Sequence, residues 1–430
     1  ELDQHPKSNY LLNDYIGKTG AEYQFEDFLK GIPGKKQAEV DADGNYKKTL
    51  AEVPAVPGNN VVLNIDYDLQ KTIYDSLTAE MAKIHATKAV AIATNPQTGE
   101  VLSLLSLPSF DNNMFARGIS QDEYNQLLND KNNPLLDRAL SGTYPPGSTI
   151  KPMMALAGLS EGVITPTTKI LDDGVIRVGA FTFYGYEHSG LGIMDVYTAI
   201  AKSSDIYFYT VGGGNAKTSV KDGLGPDRIA TYLRKFNLGK TLGIDLPNEK
   251  PGLVPDPAWK QATVGDKWYL GDTYHESIGQ GDVLATPLQV NSWTATIANG
   301  GKVMQPYVLN RVLGKDGQVL QMGSPKVLVQ NIFDPTNIKI VQDGMRQTVT
   351  SGTARSLNTV PVEISGKTGT AQFDARDLSK THAWFTSYAP SSNPQIALTI
   401  LIESGGEGSS VSVPVAKQVY TWWAQNRYNK

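Results

Sequence analysis

The stretch Tyr144-Pro145-Pro146-Gly147-Ser148-Thr149-Ile150-Lys151-Pro152 constrains this chain more than any other. Two prolines and a glycine cannot continue a preceding helix, whereas Ile150, Met153, Met154, Leu156, Ala157 and Leu159 recur at helical spacing until Gly162. The pattern predicts a buried helix that opens at Ser148. Ser148 and Lys151, at i and i+3, then share one face a turn apart, and a partly desolvated lysine can lose its proton near neutral pH. That supplies a hydroxyl nucleophile and a base for it. Alone the spacing is weak, because serine is also a common helix N-cap.

Two further segments follow in the chain order this chemistry uses: Ser203-Ser204-Asp205, and Ser365-Gly366-Lys367-Thr368-Gly369-Thr370. With all three segments, the sequence resembles the penicillin-binding proteins and serine β-lactamases, and the text PPGSTIKP and SGKTGTAQ resembles a penicillin-binding transpeptidase. The resemblance covers the chain after residue 57. It is nearest to the class B, elongation-specific penicillin-binding protein 2 group.

Composition narrows the rest. A chain of 430 residues holds two or three domains by length, and its net charge of −4 without a basic block argues against nucleic acid and anionic membrane surfaces. With no cysteine there is no disulfide, thiolate metal site or cysteine nucleophile, and no choice of compartment either. No run reaches the roughly 18 apolar residues that span a bilayer, and Glu1-Leu2-Asp3-Gln4 has neither a basic nor an apolar leader region. The resemblance implies a membrane anchor N-terminal to this sequence and a place on the extracytoplasmic, periplasmic face of a bacterial membrane.

Residues 1–57 read as an N-terminal appendage and linker ending in Pro54-Ala55-Val56-Pro57-Gly58, and Tyr15–Gly31 resembles the end of a class B pedestal. Residues 58–430 read as the transpeptidase domain. Leu69, Ile73, Leu77, Met81 and Ile84 predict a helix, followed by a hairpin of Ala89–Thr94 and Glu100–Ser106. Residues 148 to about 300 read as mainly helical, with a turn at Glu276-Ser277-Ile278-Gly279-Gln280-Gly281 and a helix near Pro287–Ala298. Strands return at Glu363–Gln372, Ala383–Tyr388 and Gln395–Glu403, before a helix over Val415–Asn426. The expected fold class is α/β (α+β): one antiparallel sheet flanked by helices, built from both ends of the chain, with a mainly helical lobe inserted.

Acyl transfer through a serine needs a base, oxyanion donors, a proton for the leaving amine and a grip on substrate. From the resemblance, Ser148 is the nucleophile, Lys151 its base, and the backbone N–H groups of Ser148 and Thr370 the oxyanion hole. Ser203 relays a proton to the leaving nitrogen, and Asp205 holds Lys151 or the substrate amide. Lys367, with the Thr368 and Thr370 hydroxyls, meets a C-terminal carboxylate, while Gly369 lets the strand approach the ligand. The family most often has Asn where Asp205 stands, but elongation-type members are similar to this chain in having Ser-x-Asp there, so the resemblance makes Asp205 a subfamily character. An ionised Asp only accepts hydrogen bonds and can keep one lysine charged, which leaves open which lysine is neutral.

The implied donor is a peptidoglycan stem peptide ending in D-Ala-D-Ala, and β-lactams are the implied covalent inhibitors. A SEDS-type glycosyltransferase and the elongation complex are implied partners. No cofactor or metal is assigned: His188, near Asp172, Asp173 and Glu187, is a candidate metal corner without distinctive ligand spacing. Gly-Lys-Thr occurs at 17, 239 and 366, but a phosphate loop needs glycine where Leu12, Arg234 and Pro361 stand. His382 and Trp384 lie beside the site strand, to wall a cleft or pack the sheet. Rival readings are a β-lactamase, for which no Glu-x-x-Leu-Asn loop is found, and a non-catalytic β-lactam or muropeptide sensor.

Overall fold

A computed structural model describes residue 10 and residues 14–116, 118–374 and 376–428. Glu1–Gln4 and Leu12, used above, lie outside the described residues. The chain divides into two compact units.

The first unit comprises residues 1–64, 244–247 and 307–324. Its sheet joins Asn60–Leu63 to Leu309–Leu313 and on to Val319–Met322, all antiparallel. The Asp245 carboxylate accepts from the Val308 and Leu309 amides at 2.6 and 2.9 Å, which ties the short 244–247 excursion to that sheet. A separate ribbon pairs Lys35–Val40 with Tyr46–Val53 and is exposed along nearly its whole length. Lys18-Thr19-Gly20 leads into a short helix, Gly20–Gln24, with Thr19 as its N-cap.

The second unit holds the large sheet. Its elements in chain order are α1 (Tyr67–Lys83), β1 (Ala89–Thr94), β2 (Val101–Leu107), α2 (Lys151–Ser160), α3 (Asp205–Gly213), α4 (Pro287–Ala298), β3 (Ser365–Gln372), β4 (Thr381–Ala389), β5 (Ile396–Ile402) and α5 (Ser412–Trp423). The strand order is β3-β4-β5-β1-β2, every pair antiparallel, so N- and C-terminal pieces share one sheet and β3 is an edge.

Every residue of β1 and β5 is buried, because helices cover both faces and remove the reason for polar alternation. On one face, Leu69, Ile73 and Leu77 of α1 pack with Val415, Ala416, Val419 and Tyr420 of α5, each large aliphatic side chain stabilising by about 1.5–3 kcal/mol. The other face takes α4. Asn291 donates to the Ile92 and Ala397 carbonyls at 3.3 and 3.1 Å, and the Thr294 hydroxyl meets Thr386 at 2.7 Å.

The inserted region is mainly helical, as its residues imply, with two small hairpins the periodicity does not reveal. Ile170–Asp172 pairs with Gly192–Met194, and Val175–Val178 with Phe181–Tyr184. These strands have three or four residues and expose many side chains, so no apolar alternation marks them. The C-terminal helix begins at Ser412 rather than Val415 and passes into a π-turn at Ala424–Tyr428. Among the described residues no helix is long and apolar enough to cross a membrane.

Candidate active site

Ser148 lies one turn earlier than a regular helix start. Gly147–Ile150 form a 3-10 turn, and α2 continues from Lys151 with Pro152 in its first turn, where a missing N–H costs nothing. Gly147 has φ +54°, and a Cβ there would meet the Thr370 carbonyl oxygen at 2.7 Å, so only glycine lets the turn approach β3 this closely. Four straps fix the loop. Tyr144 exchanges backbone bonds with Ala285 at 3.0 Å, and its hydroxyl donates to Glu403 at 2.9 Å. The Trp384 indole donates to the Pro145 carbonyl at 3.1 Å, and the Gly147 amide to the Gly279 carbonyl at 2.8 Å. Ser148 remains half-buried, and its hydroxyl makes no hydrogen bond among the described residues.

Lys151 is completely buried and its amine turns toward the second motif. Nζ donates to the Ser203 carbonyl at 2.6 Å, to Ser203 Oγ at 3.2 Å and to Asp205 Oδ1 at 2.6 Å. Burial pushes its pKa down from the ordinary lysine range, and the Asp205 carboxylate pulls it back up. Ser203 ends the helix Val196–Lys202 in the left-handed region, φ +60°. That presents both its carbonyl and its hydroxyl to Lys151. Asp205 opens α3, where the helix N-terminus favours a carboxylate, and its Oδ2 accepts from the Tyr186 amide at 2.9 Å. Ser204 caps the same helix through the Tyr207 amide and donates to the buried Asp172 carboxylate at 2.5 Å.

β3 brings the third motif alongside. Lys367 Nζ lies 2.8 Å from Ser203 Oγ and donates to the Thr368 carbonyl at 2.8 Å. It too is fully buried, and burial followed by repulsion from Lys151 holds its pKa well below the ordinary range. The Thr368 hydroxyl pairs with Thr353 at 2.6 Å, whereas Thr370 is exposed. A Cβ on Gly369 would stand 2.8 Å from the Thr149 methyl and 3.0 Å from the Trp384 Cβ, so this glycine permits strand and nucleophile turn to touch.

The structure thus gathers Ser203, Asp205, Lys151 and Lys367 into one hydrogen-bonded group, and seats Ser148 on the strand that carries Thr368, Gly369 and Thr370. Sequence reasoning missed Tyr186 and Thr353, which hold these groups in place, and also Gln280, and it placed Asp172 in a candidate metal corner rather than behind Ser204. With its amide turned so that both atoms find partners, Gln280 donates to the Gln372 carbonyl (3.3 Å) and accepts from its amide (3.1 Å). The signal for Gln280 was available, since it lies in the Gly-flanked turn already singled out.

The candidate metal corner is dispersed. Asp172 is directed at Ser204 and the Gly174 amide, Glu187 at Ser189, and the His188 ring lies 5.0 Å from that of Tyr184. Among the described residues no three His, Asp or Glu side chains gather to hold a metal ion. Trp384 is buried at the loop strap, and His382, stacked on Phe373 at 4.2 Å, is pushed by burial to a pKa of about 4.

Comparison with known proteins decides the lineage. The penicillin binding protein transpeptidase domain family matches residues 89–421, and the penicillin-binding protein dimerisation domain matches residues 1–63. The chain belongs to the penicillin-binding protein transpeptidase family. It is 35% identical to the peptidoglycan D,D-transpeptidase MrdA of Acinetobacter baumannii over 99% of this chain and 63% of that protein. MrdA of Haemophilus influenzae is likewise 35% identical, over 98% of this chain and 64% of the relative. The chain therefore spans slightly under two thirds of the length of these relatives. Among solved structures, Pseudomonas aeruginosa PBP2 in complex with WCK 5153 superposes with a TM-score of 0.80 at 35% identity, covering 98% of this chain and 85% of that one. The Helicobacter pylori PBP2 complex with MreC gives 0.84 at 31% identity, covering 99% and 75%. The three segments read from the sequence accordingly stand in a penicillin-binding transpeptidase fold, with the class B dimerisation region ahead of it.

Proposed function

We propose that this chain is the catalytic part of a peptidoglycan D,D-transpeptidase that cross-links stem peptides through a serine acyl-enzyme and is inactivated covalently by β-lactams. The observation that carries the reading is the convergence of Lys151, Ser203, Asp205 and Lys367 on one buried hydrogen-bonded group beside the Ser148 turn.

In this reading Ser148 attacks the penultimate D-Ala carbonyl and Lys151 takes its proton. The backbone N–H groups of Ser148 and Thr370 face the developing oxyanion, a role supported by the close seating of Gly147 on the Thr370 carbonyl. Ser203 passes the proton to the leaving nitrogen. Terminal D-Ala departs, and an amine from a neighbouring stem resolves the acyl-enzyme; water in its place gives the carboxypeptidase outcome. The exposed Thr370 hydroxyl and Thr368 receive the substrate carboxylate. Lys367, fully buried, supplies charge behind them. No cofactor enters this scheme.

Residues 1–57 serve as pedestal and linker to the transpeptidase domain at 58–430. The protein works at the extracytoplasmic face of a bacterial membrane, held by an N-terminal anchor, with an elongation complex containing a SEDS-type glycosyltransferase as partner. The similarity to the PBP2–MreC complex supports that assignment. So does a structure described as the structural coordination of polymerization and crosslinking by a peptidoglycan synthase complex, at 34% identity and TM-score 0.84.

Mass spectrometry after penicillin exposure tests the core of the reading. The full mass of the antibiotic should appear on the peptide carrying Ser148 and persist for many minutes. Rapid loss of the adduct with antibiotic hydrolysis means a β-lactamase. Labelling at another residue removes Ser148 from its role, and stable labelling without cross-linking of a stem peptide to an acceptor means a sensor.

A further inference from the structure

The loop that leads into α5 lies directly on the third motif. Gly408 rests there so closely that a Cβ on it would stand 1.9 Å from the Trp384 carbonyl oxygen and 2.6 Å from that of Gly369, so only glycine fits. Thr381, in the partner strand β4, exchanges two bonds with Gly406: its carbonyl accepts from the Gly406 amide at 3.2 Å, and its hydroxyl donates to the Gly406 carbonyl at 2.9 Å. Thr370 is paired with Ala383, and residues directly opposite on antiparallel strands share a face. Ala383 belongs to the core that includes α5, and its carbonyl accepts from Ser412 Oγ at 2.9 Å. The loop therefore lies on the sheet face that bears the exposed Thr370 side chain. Glu407, between Gly406 and Gly408, is exposed on that loop. Among the described residues no salt bridge engages it, and Ser409 Oγ reaches one carboxylate oxygen at 3.4 Å. Lys380, next to Thr381 in the chain, is committed to Asp374 and Asp377 at 3.3 and 3.8 Å. The Glu407 charge also reaches Tyr186, whose amide holds Asp205: burial pushes the Tyr186 hydroxyl up to about 12, and the Asp205, Glu187, Asp172 and Glu407 carboxylates add to that. Glu407 thus faces the space between the second and third motifs.

We propose that Glu407 recruits the acceptor to the acyl-enzyme by attracting its amine as an ammonium. By microscopic reversibility, the nitrogen that attacks the acyl-enzyme takes the place the departing D-Ala nitrogen left, so the acceptor enters along Thr368 and Thr370. A primary alkyl amine arrives there protonated, its pKa being about 10.4 in the lysine case. The lysines beneath that path, Lys151 and Lys367, are buried and cannot attract a cation, whereas an exposed carboxylate beside it raises the local concentration of one. The recruited ammonium gives one proton to water. The new C–N bond forms as the ester C–O bond to Ser148 breaks, and the second amine proton returns to the Ser148 oxygen by the reverse of the acylation path, so the site ends with the protons it began with. The same charge repels the carboxylate of the released D-Ala and disfavours its return. The inference rests on the acyl-transfer reading and adds to it the charge of the acceptor and the residue that selects it.

The experiment separates the two halves of the reaction. Ser148 is acylated by a D-alanyl thioester, and the acyl-enzyme is partitioned at pH 8 between water and one of two nucleophiles. One is a synthetic stem peptide with a free side-chain amine and an amidated C-terminus; the other is hydroxylamine, which is uncharged at that pH. Glu407→Gln should lower capture by the peptide about fivefold at low salt, the scale of one charge pair at about 4 Å in a wet cleft, and the loss should shrink as salt screens it. Glu407→Asp should restore most of the capture. Capture by hydroxylamine should stay within twofold of the parent, and acylation by penicillin should not fall, because its carboxylate no longer meets a like charge. A merely structural role for Glu407 would slow all three together. Unchanged peptide capture in Glu407→Gln, or an equal fall for peptide and hydroxylamine, overturns the proposal. Absence of any Ser148 adduct in the parent chain would instead overturn the acyl-transfer reading itself, so the two failures are distinguishable.

Discussion

The contact between Gly279 and Gly147 gives the sharpest test of how the nucleophile turn is held. Gly279 has φ +75°, and a Cβ placed on it would lie 2.2 Å from the Gly147 carbonyl oxygen and 2.7 Å from its nitrogen. Gly279→Ala therefore does two things. It forces alanine into the left-handed region, at about 1–2 kcal/mol, and drives the backbone beside Ser148 outward. Ordinary contact begins at 3.4 Å, so the turn must move by roughly 1.2 Å, since the obstacle is backbone and no side chain can swing aside. A displacement of that size at a reacting group costs about a hundredfold in rate, or about 2.7 kcal/mol in the barrier. Gly300→Ala is the control, because Gly300 has φ +84° and nothing within 4 Å of its would-be Cβ. Both variants should lose stability in urea unfolding, Gly279→Ala more because it adds the backbone clash to the left-handed strain, but only Gly279→Ala should lose penicillin acylation, read as a second-order rate with a fluorescent penicillin. Acylation of Gly279→Ala within threefold of the parent, or equal slowing of the two variants, would refute the strap.

Lys151→Arg keeps a charge in the Asp205 pair but removes a base that can be neutral near pH 7, and acylation should fall by two or more orders of magnitude; an active variant moves the base elsewhere. Thr353→Val removes the hydroxyl partner of Thr368 and should weaken saturation by carboxylate-bearing β-lactams by about three- to tenfold, a loss of about 0.5–1.5 kcal/mol, leaving the saturated rate nearly intact. Glu276 is buried with neither carboxyl oxygen paired among the described residues, and burial holds its pKa well above the usual carboxylate range. Its raised folded-state pKa means its stabilising contribution is complete below the unfolded pKa and is lost as pH rises toward the folded one. Glu276→Gln should therefore raise the melting temperature at pH 8 more than at pH 5, and an equal change at both pH values would remove Glu276 from the account.

How much of this was readable in advance depends on how local the cause was. The helix from Tyr67 was legible from its apolar periodicity, and the strands at 89–94 and 396–402 because burial on both sheet faces left them almost uniformly apolar, whereas the polar strand at 365–372 was legible through its motif. The Ser148 turn was legible from Pro145, Pro146 and Gly147. The small hairpins between residues 170 and 194 were not, for their strands are too short and too exposed to leave a period. Residues 307–324 join the N-terminal unit through the pairing of Leu309–Leu313 with Asn60–Leu63, and Asp245 ties residues 244–247 to that strand by reaching two amides some sixty residues away; nothing near either segment announces a partner so distant.

The second motif shows the same limit inside the site. That Asp205 is an acceptor beside two lysine-bearing motifs was visible in the letters, and so was the question of which lysine it keeps charged. Its answer needed distances: 2.6 Å to Lys151, the second oxygen held by the Tyr186 amide, and a single serine hydroxyl between two amines. Tyr186 contributes a backbone N–H there, and a backbone group has no sequence signature at all. An Asn could donate to the substrate and would leave Lys151 free to deprotonate, whereas Asp205 binds both its oxygens inward and opposes that loss.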